Sequence, residues 1–464
     1  MRPCGCQLIP RNLHLDYGYP LCNYQHHEMN KQITRLAVPN IISNLSVPIL
    51  GAVDIALMGR LESERHLGAV AIGAAIFNML YWGFGFLRMS TTGLTAQAHG
   101  ANNQRESILI LTRGLFVALA ASILLVLTQP FIAKVSFYLI DASTEVEQLA
   151  RQYFYIRIYA APAALSIFVF HGWFLGVQNA GYPMILTVLM NVLNVGLNLY
   201  FVKAMGLKSN GVALGTVIAQ YLGLVCAVLL FVIKHGELLK GWNLKEALYL
   251  PDLKRFFSIS GDIFIRTLCL VFSHTFFTAK SAAVSDIILA VNTILLQYIY
   301  FLAYAVDGFA FAAESLIGKY KGAVDFRNLR IAVRHVFIWG IGLAGVFSLI
   351  YGLLGQPLLY VFTNRADIVK RAFPYLIWVA LTPIINAAAY LWDGIFIGAT
   401  ASIPLRNAMI ASTFVVFLPA YYLLKPLGNH GLWLALTLYS VARGLTLTAL
   451  APKYILKDAP ANSR

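Results

Sequence analysis

Five acidic residues, Asp54, Asp262, Asp307, Glu314 and Asp393, and four arginines, Arg88, Arg157, Arg266 and Arg443, fall inside long apolar stretches of the sequence. A charge in such surroundings is costly, so each is a candidate for chemistry. Asp54 stands between Val53 and Ile55 with no basic residue within one helical turn. Apolar neighbours disfavour the charged form of a carboxyl group, which suits an acid that takes up and releases a proton near neutral pH. The alternative is an acid near a helix end that simply faces water.

Asn191, Asn194 and Asn198 are spaced to share one helical face. Such a stripe either completes an ion-coupling site with Asp54 or joins helices by hydrogen bonds. Asp262 and Arg266 stand one turn apart and are expected to neutralise each other. Asp393 follows Tyr390 by one turn, an arrangement for holding a cation or for a packed hydrogen-bonded pair. Asp307 and Glu314 share a face, and either line a substrate cavity or pair with Arg88, Arg157 or Arg443. Tyr81, Trp82, Phe84 and Phe86 offer walls for such a cavity, or interface anchors.

Other chemistries find no support. No GxxxxGK[ST] phosphate loop is present. No Ser/His/Asp or His/Glu set stands at catalytic spacing, so no enzyme activity is expected. Cys4, Cys6, Cys22, Cys226 and Cys269 form no CxxC pair, and no metal site is expected.

The elements that carry these residues are membrane helices. The chain is 59% hydrophobic and 12% charged, against roughly 25% charged in soluble domains, so lipid must be its solvent over most of its length. About 20 apolar residues span a bilayer core. Twelve stretches qualify, near 32–58, 67–98, 107–129, 150–176, 183–202, 209–233, 257–280, 286–317, 331–354, 371–398, 404–424 and 430–452. Pro39, Pro48, Pro162 and Pro383 fall inside them. The net charge of +15 reads as basic cytoplasmic loops rather than nucleic-acid binding. Under a twelve-span arrangement most lysines and arginines outside the spans lie on the side of the termini, which favours both termini in the cytoplasm; the location expected is the cell's inner membrane.

The chain also repeats itself. Gly100-Ala101 and Gly322-Ala323 lie 222 residues apart, as do Gly172-Trp-Phe-Leu-Gly176 and Gly394-Ile-Phe-Ile-Gly398. Gly211-Val-Ala-Leu precedes Gly431-Leu-Trp-Leu by 220. Each half holds an even number of spans, so the repeats run parallel, and substrate is expected between them. The organisation expected is an unstructured extension over 1–28, with Met29 a candidate native start, a six-helix lobe over 29–233 and a cytoplasmic linker over 234–256. A second six-helix lobe over 257–452 and a tail over 453–464 complete it.

The run Leu87-Arg-Met-Ser-Thr-Thr-Gly-Leu-Thr-Ala-Gln97 followed by Gly100-Ala resembles the second-helix signature of the DinF branch of the multidrug and toxic compound extrusion (MATE) family. Pro48-Ile-Leu-Gly-Ala-Val-Asp54 is similar to its first helix. Tyr304-Ala-Val-Asp307-Gly-Phe-Ala, Leu391-Trp-Asp393-Gly-Ile-Phe-Ile-Gly398 and Gly428-Asn-His-Gly-Leu-Trp-Leu-Ala-Leu resemble its eighth, tenth and twelfth. The resemblance runs from about residue 30 to 452. It implies an all-α antiporter of two pseudo-symmetric six-helix lobes, exporting small organic molecules, cationic or amphiphilic, in exchange for protons. It also implies a functional acid at Asp54 and a second-lobe site at Asp393.

Where the family often has Asp, this chain has Asn198, which takes up no proton and weakens a Na⁺ site in the first lobe. A Na⁺-coupled or organic-anion exporter of the same family, and a lipid-linked-precursor flippase, are the alternatives. The reading assigns ion coupling to Asp54, Asn191, Asn194 and Asn198, and the substrate cavity to Asp307, Glu314, Asp393, Tyr390 and Arg88. It expects no cofactor beyond the coupling ion, and a monomer whose partners are its substrate and the bilayer.

Overall fold

Apolar runs longer than a bilayer is thick can satisfy their backbone groups in lipid only as helices or closed barrels, and here they do so as helices. The computed structural model describes the backbone of residues 18–58, 64–140, 142–240 and 242–457, with side chains from residue 26 onward except those of 52 and 54–58. Among the described residues there is no strand.

Twelve helices among the described residues are long and apolar enough to cross a membrane. They are α1 (Gly18–Met58), α2 (Glu64–Gly100), α3 (Gln104–Leu127), α4 (Thr144–Gly176), α5 (Gly181–Ala204) and α6 (Lys208–Leu239) in the first half. The second half has α7 (Leu250–Val284), α8 (Asp286–Gly322), α9 (Phe326–Phe362), α10 (Ala366–Gly398), α11 (Ser402–Leu427) and α12 (Asn429–Leu456).

Pro39 and Pro48 lie within α1 and Pro383 within α10. Pro162 follows a 3₁₀ turn at Ile158–Ala160 that interrupts α4. The expectation of an unstructured extension through residue 28 is corrected: α1 already begins at Gly18. Within it, His26 Nδ1 lies 2.7 Å from His335 Nε2 on α9.

The repeat read from glycines is visible in the backbone. Asn102 and Val324 adopt left-handed conformations (φ 54° and 57°), as do Gln178 and Thr400 (φ 66° and 51°). Each pair is separated by 222 residues. Lys208 and Gly428, 220 apart, also share a positive φ (50° and 60°). Asn103 and Asp325 then cap α3 and α9 equivalently, accepting from the amides of Glu106 and Asn328 at 2.9 and 3.0 Å.

The two lobes cross at their second helices. A methyl carbon at Gly100 would stand 1.9 Å from the Lys319 carbonyl oxygen, and one at Gly322 would stand 2.0 Å from that of Gln97. These are reciprocal contacts about a pseudo-twofold axis between α2 and α8. Small residues permit such backbone approach. The first helix of each lobe leans on the other: Asn44 of α1 donates to the Tyr304 carbonyl of α8 at 3.2 Å, and Ser260 of α7 bonds Ser90 of α2 at 3.1 Å.

The crossing lies at one end of the bundle. The linker is at that end, because Arg105, just past the Gly100 turn, pairs with Glu246 at 2.6 Å. The C-terminal end of α12 is there too: the Leu456 carbonyl accepts from Arg330 near the start of α9 at 3.2 Å. Arg113 is buried inside α3 and bonds Glu106 at 2.6 Å and Asp252 at 2.8 Å. It thereby ties the first lobe to the start of α7.

Candidate functional site

Three buried charges meet in the second lobe. Asp393 on α10 accepts hydrogen bonds at Oδ2 from Nη2 of Arg443 on α12, at 2.6 Å, and from Nη2 of Arg266 on α7. Asp393, Arg266 and Arg443 are 4%, 8% and 2% exposed. Asp393 Oδ1 and the Nε atoms of both arginines have no hydrogen-bond partner among the described residues. Arg443 also lies over the rings of Tyr439 and Tyr390, at 5.4 and 5.9 Å, and Tyr390 accepts a bond from Asn386 at 3.3 Å. A small cavity opens beside Arg443, lined by His274, Asn386, Tyr390, Tyr439 and Ser440 among others.

Asp262 does not pair with Arg266. Its carboxylate takes Arg406 of α11 at 2.6 Å and the Ser402 hydroxyl at 2.7 Å. An intrahelical pair one turn apart contributes only about 0.2–0.5 kcal/mol, so better-aimed partners on neighbouring helices outcompete it. Arg266 is thereby free to reach Asp393. A carboxylate oxygen shared by two guanidiniums is a poor ligand for a cation, which argues against the cation-holding reading of Asp393 and Tyr390.

The lobes share a second charge cluster. Arg88 of α2 forks onto Glu314 of α8 at 2.9 and 3.2 Å, and its guanidinium lies 3.9 Å from the ring centroid of Phe311. Of the arginines offered by the sequence, Glu314 therefore takes Arg88. Arg157 instead donates to Tyr153 at 2.5 Å in the first lobe. Asp307, on the same helix as Glu314, is half-buried and among the described residues makes neither an ion pair nor a hydrogen bond. Nearer the crossing, Gln97 donates to the Gly398 carbonyl and Thr400 hydroxyl at 3.2 and 3.0 Å, and Gln178 to the Ser315 hydroxyl at 2.6 Å. Neither glutamine is assigned to a site from the sequence, although Gln97 closes the run that resembles the second-helix signature.

In the first lobe the asparagine stripe makes two separate sets of hydrogen bonds. Asn198 donates to Asn194, Asn194 to Thr216 and Asn191 to Ser46 of α1, each at 2.9 Å. Asn198 packs over Gly215, where an added methyl would come within 2.2 Å of its oxygen. The stripe thus joins α5 to both α6 and α1. The side chain of Asp54 lies outside the described residues; its position on α1 is two turns beyond Ser46.

A family model fits this geometry. MatE matches residues 39–200 and 263–423, one stretch in each lobe. The chain belongs to the MatE family. It is 38% identical over 432 residues to DNA damage-inducible protein F of Escherichia coli (strain K12), across 91% of this chain and 92% of that protein. It is 27% identical to Protein DETOXIFICATION 44, chloroplastic, of Arabidopsis thaliana, across 90% of this chain and 81% of that one. The solved structure of the Vibrio cholerae MATE transporter VcmN in the bent form has the same fold, with TM-score 0.82 at 18% identity, covering 93% of this chain and 98% of that one. This MatE protein is accordingly a multi-pass membrane efflux transporter for small molecules, and its relatives are transporters rather than enzymes.

Proposed function

We propose that the protein exports small organic molecules, cationic or amphiphilic, in exchange for protons, by alternating access between its two lobes, with Asp54 as the proton site. The observation that carries this reading is the bond from Asn191 to Ser46. It sets the polar face of α5 against α1, so a hydrogen-bonded amide reaches the helix that carries Asp54. No basic residue stands within a turn of that acid in the sequence, which suits a group that takes up and releases a proton. Asn198 supplies no second acid, which favours a proton over Na⁺ in this lobe.

The interlobe contacts at the end that holds the linker support a state closed on one side. The bias of Lys and Arg toward that end supports its placement in the cytoplasm of a cell with the protein in its inner membrane. The substrate then has access from the opposite face, past Arg88, Glu314 and Asp307.

The test is efflux of a fluorescent organic cation from proteoliposomes under a pH gradient without Na⁺. Wild type is expected to transport, and Asp54→Asn to lose transport while keeping its melting transition. Equal transport by the two would overturn the assignment of Asp54; transport only with Na⁺ would overturn proton coupling.

A further inference from the structure

A buried ion pair that serves packing alone is most stable when its donors and acceptors are all satisfied. The second-lobe cluster departs from this. A guanidinium offers five N–H donors and a carboxylate can accept a bidentate fork. Here both arginines place Nη2 on the same oxygen, Asp393 Oδ2. Asp393 Oδ1 and both Nε atoms are left without partners among the described residues.

Two cations thus share one anion. The remaining acids do not correct the balance by contact: Glu314 is taken by Arg88, Asp262 by Arg406, and Asp307 touches neither guanidinium. Arg443, 2% exposed, lines the cavity, and so does His274, whose buried Nδ1 also lacks a partner. The hydroxyls of Tyr390 and Ser440 and the amide of Asn386 complete a polar wall, in which Asn386 donates to Tyr390 and Ser440 to the Leu436 carbonyl.

We propose that Arg443, with Arg266 behind it on the shared oxygen of Asp393, forms an oxyanion subsite in the second lobe that takes the carboxylate of a small organic anion or zwitterion. The forked guanidinium suits a planar carboxylate, and the low dielectric inside the lobe strengthens the attraction. Asp393 lowers the affinity of the site by competing for the same donors, so the anion is released rather than trapped. The subsite's polarity is opposite to that expected of the first lobe, so a molecule carrying both charges has a partner in each. Release of the anion across the membrane rests on the proposed transport; binding itself needs no gradient and no Asp54.

The experiment measures binding of ¹³C-acetate to purified full-length protein in non-ionic detergent, from its transverse relaxation at fixed ionic strength, with acetamide as the neutral probe. Wild type is expected to bind acetate saturably and acetamide not at all. Arg443→Gln is expected to weaken acetate binding by about tenfold or more. Asp393→Asn, which frees both guanidiniums, is expected to tighten it. A merely structural triad would not produce that opposite sign. Absence of saturable binding to the wild type, displacement by acetamide, or an Asp393→Asn protein that keeps its melting transition and loses acetate would overturn the proposal. Where Arg443→Gln does not fold, the wild-type selectivity and the sign of the Asp393→Asn change decide. Acetate binding with no pH-driven efflux would overturn the transport reading and leave the subsite standing.

Discussion

Glu314 is 1% exposed and meets Arg88 across the lobe interface with two hydrogen bonds. Removing one partner of a buried pair leaves an uncompensated charge, which costs about 3–5 kcal/mol. Glu314→Gln should therefore lower the thermal midpoint in detergent strongly. The double variant Glu314→Gln with Arg88→Gln should recover much of that loss, because neither charge then stands alone. Additive losses in that cycle would show that the two residues act independently. Such charges were legible in the sequence as residues, since an ionised group in an apolar span announces itself. Their pairing was legible only in part. Arg88 stood among the partners open to Glu314, whereas Asp262 and Arg266 suggested each other by spacing and went to Arg406 and Asp393 instead. Pairing across helices depends on rotation about each helix axis, which the sequence does not state.

The turns that follow α2 and α8 are the same device used twice, yet their left-handed residues differ. Asn102 tolerates a positive φ, because its short polar side chain is one of the few suited to it. Val324, at φ 57°, is β-branched, and the left-handed region costs such a residue about 1–2 kcal/mol. It is 65% exposed, so replacing it removes little packing. Val324→Asn should therefore stabilise the protein by about 1 kcal/mol, seen as a higher midpoint in thermal unfolding. An unchanged or lower midpoint would mean that the valine side chain contributes contacts that offset its strain. At this scale the sequence was most informative. The glycine pairs that betrayed the repeat are the positions where backbones cross, as at Gly100 and Gly322, and the spans follow from apolar length. The start of α1 was not legible, because residues 18–28 carry no apolar run; the helix continues there as an extension of the span behind it.

The whole molecule consists of two lobes whose firmest mutual contacts stand at one end. Gln97 of the first lobe bonds Thr400 of the second at 3.0 Å, in the layer where Gly100 and Gly322 bring the backbones together. If transport proceeds by rocking one lobe against the other, this layer must part in every cycle. A covalent bond across it should stop transport without disturbing the closed state. The sharpest form of this prediction is the pair Gln97→Cys and Thr400→Cys in a background whose native cysteines are replaced by serine. Oxidation should cross-link the lobes and abolish efflux from proteoliposomes, and a reductant should restore it. Each single cysteine should transport normally under both conditions, which separates the cross-link from oxidative damage. Full efflux from completely cross-linked protein would mean that this end never opens, and the path would then have to run through one lobe rather than between the two.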